Sequence, residues 1–306
     1  MIVVAGDLML DIFFTARLRL EEQSAGIAAR AGGSAANTSA WIAHLGEAVT
    51  FVGCTGDDSL GSALRTELAA SGVAMKVRAI DGVETGCVAV EVTPEAQRFM
   101  KSSRGANEFL SPDDLRGLAS PSVTNVHLTG YALVGPGGSE LLHVAAELAQ
   151  QCGALLSFDP ASVGVIEKVK SVALLDELQL SRVGLLLLNS QEALALTGAP
   201  VLADAVQQLT DSVGMIVVKN GAEGALWARS TERSSVAASV HLAPTQPIRP
   251  LDTTGAGDAF NAGAIVGLAR GYSLAAACRL GHEVASQTLG RLGGRPAPIV
   301  GIAAAP

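Results

Sequence analysis

Six short, predominantly apolar runs recur along the chain, at 2–5, 49–52, 126–129, 155–158, 185–188 and 216–218. Near-continuous rather than alternating apolarity predicts strands covered on both faces, as in a parallel sheet flanked by helices. Between them, stretches rich in Ala and Leu at 36–45, 60–71, 139–151 and 202–211 carry helical spacing. Two more helical patterns, 256–270 and 274–289, follow near the end. Repeated strand-then-helix order predicts an α/β fold with a doubly wound, mainly parallel sheet. Segments 12–20 and 86–100 break this rhythm by alternating apolar and polar residues. They predict half-exposed antiparallel strands, a small sheet forming a lid over one end of the main one. Its exposed face is where a second subunit would pair, making a homodimer. The Pro- and Ala-rich tail after Gly293 predicts loose chain.

Composition narrows the functional classes. The 306 residues are 49% hydrophobic and 16% charged, enough for a large core. Length alone suits one large α/β domain or two smaller ones. A net charge of −8 and the lack of any basic run argue against nucleic-acid binding, which needs clustered Lys and Arg. Mean hydropathy is high at +0.37. The apolar runs at 183–188 and 262–269 nevertheless fall well short of the ~20 residues of a spanning helix. The start lacks a basic leader pattern and carries Asp7 and Asp11 early. Cys54, Cys87, Cys152 and Cys278 form no CxxC pair, which fits free thiols and a cytoplasmic location. No HExxH or comparable metal spacing occurs.

Chemistry concentrates in two glycine-rich segments. The run Asp252-Thr253-Thr254-Gly255-Ala256-Gly257-Asp258 enters a helical pattern and continues through Gly263. Small residues there let backbone N–H groups approach an anion, and the helix N-terminus adds a favourable dipole. Asp258 falls in the first turn, where a carboxylate can accept a proton from a hydroxyl attacking phosphorus. A helix cap behind a glycine turn explains Thr254 and Asp258 equally well when they are taken alone. Neither GxGxxG nor GxxxxGK[ST] is present. The second segment is Gly32-Gly33-Ser34-Ala35-Ala36-Asn37, followed by Leu45-Gly46 and Gly56. Gly33 permits close ligand approach to the backbone, and Asn37 offers a donor and an acceptor to a polyol.

Together, in this order and more than 200 residues apart, the two segments resemble the paired signatures of the ribokinase-like (PfkB) carbohydrate kinases. The likeness extends over residues 1–298, with lid strands around 12–30 and 86–103 and a tail at 299–306. It implies ATP-dependent phosphorylation of a hydroxymethyl group on a sugar or sugar derivative. Asp258 would then be the base, and the amides of Gly255, Ala256 and Gly257 the anion hole. Asp11, Gly33 and Asn37 would hold the acceptor. The run Asn189-Ser190-Gln191-Glu192 resembles the family's NxxE motif, implying that Glu192 orders magnesium through water. Lys219, Gly221 and Gly224 resemble the nucleotide loop, and His282 falls near the adenine position. Many members also bind potassium, which would lie among backbone carbonyls near Asp252, Thr254 and Gly293.

Some residues depart from that pattern. Ala161-Ser162 follows Asp159-Pro160 where many relatives have Asn. Met9 and Ser34 stand where ribokinases carry Asn and Lys, which argues against ribose. Arg104, on the return from the lid, would meet an acidic or phosphorylated acceptor, or else remain a surface charge. A nucleoside kinase of the same fold and a non-catalytic sensor are the alternatives. The scarcity of lid aromatics, with only Phe13, Phe14 and Phe99, favours a sugar over a nucleoside.

Overall fold

In the computed structural model, which describes residues 1–15, 26–92, 98–171, 182–230, 241–243 and 252–297, the apolar runs form the centre of one sheet. In chain order, β1 (Ile2–Ala5), β2 (Met9–Thr15), β3 (Ile27–Gly32) and α1 (Ser34–His44) come first. Next are β4 (Val49–Gly56), α2 (Ser59–Ala70), β5 (Ala74–Ile80), β6 (Thr85–Val92), β7 (Arg98–Gly105) and the one-turn α3 (Pro112–Leu115). Then follow β8 (Asn125–Thr129), α4 (Gly138–Cys152), β9 (Leu155–Asp159), α5 (Val163–Ser171), β10 (Leu185–Asn189), α6 (Ser190–Thr197), α7 (Leu202–Leu209) and β11 (Met215–Lys219). The last elements are β12 (Ala225–Arg229), β13 (His241–Ala243), α8 (Ala256–Ala269) and α9 (Leu274–Ser286).

The main sheet has the order β13-β12-β11-β10-β9-β8-β1-β4-β5, parallel from β11 through β5. Among the described residues of this sheet, the β11–β12 and β12–β13 pairs alone are antiparallel. Successive residues of a central strand feed opposite layers. Val3 and Ala5 pack with Leu141, Leu148 and Val206 on one face, while Ile2 and Val4 pack with Trp41, Phe260 and Ile265 on the other. That two-sided burial is why these strands lack polar alternation. The sheet order reverses at β1, which pairs β4 on one side and β8 on the other. Such a switch point opens a crevice beyond the carboxyl ends of the strands, where ligands settle in open α/β sheets.

The lid is a second sheet of order β3-β2-β6-β7. The expectation of antiparallel strands holds for the β2–β3 and β6–β7 pairs, but β2 and β6 run parallel. Each antiparallel pair is contiguous in sequence, whereas residues 33–84 pass through the main domain between the two pairs. A crossover of that length can deliver a strand in the parallel sense. Strand β2 starts at Met9, earlier than the alternating pattern indicates; residues 16–25, 93–97 and the tail from 298 lie outside the described residues. On the lid, Phe13, Ala28, Val88 and Val90 form a small core closed by Leu292. Phe14 and its register partner Ile27 point the other way and are exposed. Strand β5 and helix α5 lack a clear periodic signature and escape a pattern-based reading; β5 is an edge strand with mixed exposure.

All four cysteines are free, and burial pushes the Cys54 and Cys278 thiols up to about 12. No described helix is long and apolar enough to cross a membrane. The fully buried Phe51 anchors the layer beneath α1 and α2. Phe51→Ala should therefore lower unfolding stability by about 3–5 kcal/mol in chemical denaturation. Val201→Ala, at an exposed position, should change it by under about 0.5 kcal/mol.

Candidate functional site

Because β1, β4, β8, β9, β10 and β11 run parallel, their carboxyl ends share one edge. Gly6-Asp7, Gly56, Thr129, Asp159, Asn189 and Lys219 all arrive there. Two helices begin above it. Gly33, at φ +95°, precedes α1, and a side chain at that position would collide with the Asp7 carbonyl oxygen. Gly255, at φ +73°, precedes α8 and presents its turn without any side-chain cap. A Cβ on Gly255 would lie 2.2 Å from Gly294 Cα, so only glycine allows these two backbones to touch.

Asp258 sits in the first turn of α8, where α1 meets it. Its Oδ1 accepts a hydrogen bond from Ser34 Oγ at 2.7 Å, and its Oδ2 accepts one from Asn37 Nδ2 at 2.9 Å. Burial raises the Asp258 carboxyl to about 6 against the pull of those two hydrogen bonds. Asp11, on β2, is buried, and desolvation together with the charge of Asp258 raises it to about 7. Asp11 also lies directly against Gly32. Asp7 is buried and pairs with Arg104 at 2.8 Å, tying the lid's return strand to the end of β1. Burial raises the Asp7 carboxyl despite that partner. Arg104 is thus mostly enclosed rather than a surface charge, and its NH1 has no partner among the described residues.

A second cluster lies at the ends of β9, β10 and β11. Lys219 Nζ donates to Asp159 Oδ2 and to Asn261 Oδ1, each at 2.9 Å, and Asn261 Nδ2 also donates to Asp159 Oδ2. Burial raises the Asp159 carboxyl, but Lys219, Asn261 and the Ala161 amide together outweigh it and hold it below the usual value. Burial likewise lowers the Lys219 ammonium, yet Asp159 and Glu192 leave it raised overall. Lys219 Nζ stands 3.6 Å from where a Cβ on Gly257 would be, beside the turn into α8. Asn189 and Glu192 form a reciprocal capping box at the start of α6. Burial and then the Asp159 charge push the Glu192 carboxyl up to about 7. Asp159 and Glu192 thus offer oxygen donors of the kind a hard cation takes through water. Among the described residues, no three His, Cys, Asp or Glu side chains gather to ligate a metal directly.

Asp252 is buried; its Oδ1 accepts from Thr254 N and Oγ1, at 2.9 and 2.7 Å, and its Oδ2 from Gly293 N at 3.2 Å. Gly221 and Gly224 bound the turn between β11 and β12, closed by Asn220 N donating to Gly224 O at 2.8 Å. His282, on α9, packs edge-on against Phe260 with centroids 5.1 Å apart. Ser34, Asn261 and Asp159 are participants that motif reading passed over. Asn261, three residues after Asp258 on α8, lies on nearly the same helical face, which is the available signal. For Asp159 the signal is an acid closing an apolar strand. Ala161 has φ +69°, a conformation that Asn adopts more readily than Ala.

Residues 1–299 match the pfkB family of carbohydrate kinases. A fructokinase from Vibrio alginolyticus is 28% identical over 281 residues, covering 87% of this chain and 83% of that protein. Among solved structures, a probable sugar kinase from Rhizobium etli superposes with TM-score 0.86 at 23% identity, covering 96% and 94% of the two chains. An adenosine kinase from Sinorhizobium meliloti gives TM-score 0.83 at 27% identity, covering 96% and 95%. The fold is therefore that of the ribokinase-like kinases, and the chain belongs to the pfkB family of carbohydrate kinases.

The two hydrogen bonds to Asp258 favour its ionised form. Asn37→Ala should therefore raise the Asp258 carboxyl above about 6, read by carbon-detected NMR titration of that carboxylate. An unchanged midpoint would show that Asn37 does not stabilise the ionised form.

Proposed function

We propose that this kinase transfers the γ-phosphoryl group of ATP to a hydroxymethyl group of a sugar or sugar derivative, with Asp258 as the base. The observation that supports this most is the partly desolvated Asp258 carboxylate beside the uncapped amides of the Gly255–Gly257 turn. The new bond joins the hydroxymethyl oxygen to the γ-phosphorus as the bond to the β,γ-bridging oxygen breaks. The hydroxyl proton passes to Asp258, late because the transition state is loose, and ADP departs. Amides of Gly255, Ala256 and Gly257 stabilise the charge on the transferring group. Asp11 and Gly33 orient the acceptor. Asn37 contributes by holding Asp258, and Ser34 shares that task. Magnesium, when bound with ATP, neutralises phosphate charge; Glu192 and Asp159 would hold it through water while Lys219 keeps their mutual repulsion in check.

A sugar acceptor is favoured over a nucleoside. Of the lid aromatics whose side chains are described, which leaves out Phe99, Phe13 is fully buried within the lid's own core and leaves no ring face to stack a base, while its neighbour Phe14 faces away. The test is ADP release with ATP and magnesium against neutral sugars, sugar acids, sugar phosphates and nucleosides. A nucleoside outperforming every sugar would overturn this choice of acceptor.

Asp258→Asn should cut kcat by about 10²–10⁴-fold while nucleotide binding, followed by calorimetry, persists. In the parent enzyme, protonation of Asp258 removes the base. As pH drops below about 7, where Asp11 and Glu192 also take up protons, kcat/KM should therefore begin to fall, and below about 6 it should drop at least tenfold per pH unit. A flat profile from pH 5 to 8 would separate the rate from this carboxylate.

Asp252 draws the Thr254 turn and Gly293 together around one buried carboxylate, an arrangement suited to a monovalent cation held by neighbouring carbonyls. Potassium should raise turnover relative to a buffer with only a bulky organic cation. Equal rates in the two would remove that role.

A further inference from the structure

A cavity of about 840 Å³ lies between the C-terminal half of α1, the end of α2 and the loop 290–297. Apart from Gly293, none of its lining residues takes part in the reaction described above. Its walls carry three guanidinium groups, from Arg30, Arg291 and Arg295, against a single carboxylate, Glu67. Arg295 is only 9% exposed; its NH1 pairs with Glu67 and its NH2 donates to Gly32 O at 3.2 Å. Arg291 donates through NH2 to Arg295 O and lies over Trp41, 5.9 Å from the ring centroid. The Nε–H groups of both Arg291 and Arg295 are shielded from solvent and have no partner among the described residues. Burial holds both guanidinium groups below their ordinary value, with Glu67 and Asp11 offsetting this in part for Arg295.

Enclosing cations with unsatisfied N–H groups is costly unless an anion completes them. Guanidinium forks match phosphate oxygens in geometry, and an excess of two positive charges matches a phosphate dianion. The volume exceeds what an inorganic ion needs and falls in the usual range for a small-molecule site. We propose that this cavity binds the phosphate group of a small phosphorylated metabolite through Arg30, Arg291 and Arg295, as an effector site separate from the phosphoryl-transfer turn. The route between the two is short. Gly293 N donates to Asp252, Trp41 Nε1 donates to Gly294 O at 2.7 Å, and Gly294 abuts Gly255. An anion seated on residues 291–295 therefore bears on the same loop that backs the turn into α8.

The chain has two tryptophans, so Trp227→Phe leaves Trp41, beneath Arg291, as the reporter. In that background, inorganic phosphate and methyl phosphate are titrated separately while Trp41 emission is followed. A saturable change is expected, tighter for methyl phosphate if a phosphate monoester is the ligand and tighter for inorganic phosphate if the free ion is. Arg291→Gln and the exposed Arg30→Gln, each checked for a parent-like thermal melt, should weaken binding by about tenfold or more. The change should persist when ADP is saturating. No saturable change, or parent-like affinity in both arginine variants, would overturn the proposal. Loss of the signal with ADP would do the same by placing the anion at the Gly255–Gly257 turn. The arginine comparison needs no kinase activity, so failure of the kinase reading and failure of this proposal remain distinguishable.

Discussion

The mouth of the site depends on one close approach of backbone to backbone. Gly255 and Gly294 lie so near that a methyl group on the first would fall 2.2 Å from the second. This contact sets the left-handed turn into α8, which has no side-chain cap, and so aims both the amides of that turn and the carboxylate of Asp258. It also fixes the loop 290–297, whose Gly293 amide reaches Asp252 and whose Arg295 reaches Gly32 across the lid junction. Sequence-distant pieces are thereby brought around one point: the end of β3, the start of α1, the start of α8 and the chain after α9.

Around that point the structure keeps several carboxylates in surroundings that resist their charge. Desolvation raises Asp11, Asp258 and Glu192, with the charge of Asp258 adding to the first and that of Asp159 to the other two, whereas Asp159 stays ionised because Lys219 and Asn261 meet it directly. The contrast follows from partners. Asp159, with an ammonium and an amide at hydrogen-bond distance, retains its charge, while Asp258 and Glu192, with only neutral donors, are left nearer to protonation; at Asp7 burial outweighs even the Arg104 guanidinium. The site therefore separates an ion-paired cluster on the β9–β11 side from Asp258, a carboxylate held only by neutral donors, on the α1–α8 side. That division suits a reaction in which phosphate charge must be held in one place and a hydroxyl proton removed in another.

Much of this was legible from the chain alone. Near-continuous apolar runs at 185–188 and 216–218 require burial on both faces, and residues alternating between two cores require it in the structure as well. Parallel strands then force their carboxyl ends onto one edge, so Asp159, Asn189 and Lys219 share it without any knowledge of side-chain geometry. The paired glycine segments also announced themselves, because small residues before a helix leave amides bare. What pattern reading missed were residues with no periodic or compositional mark. Ser34, a single hydroxyl inside a glycine-rich run, gains its role only because α1 and α8 meet. Arg104 looks like surface charge until β7 folds back and Asp7 receives it.

Local pattern by itself determined the fold class, the starts of the helices with a clear periodic signature and some of the chemically capable residues, since these depend on burial periodicity and backbone freedom. Only the tertiary structure decided which of those residues touch. Asn37 serves Asp258, His282 packs against Phe260, and β2 joins β6 in parallel, each through partners more than 20 residues away. The protonation preferences of Asp11, Asp258 and Glu192 likewise arise from desolvation and from charges brought near by folding. A linear chain does not specify those distances until its sheets and helices are packed.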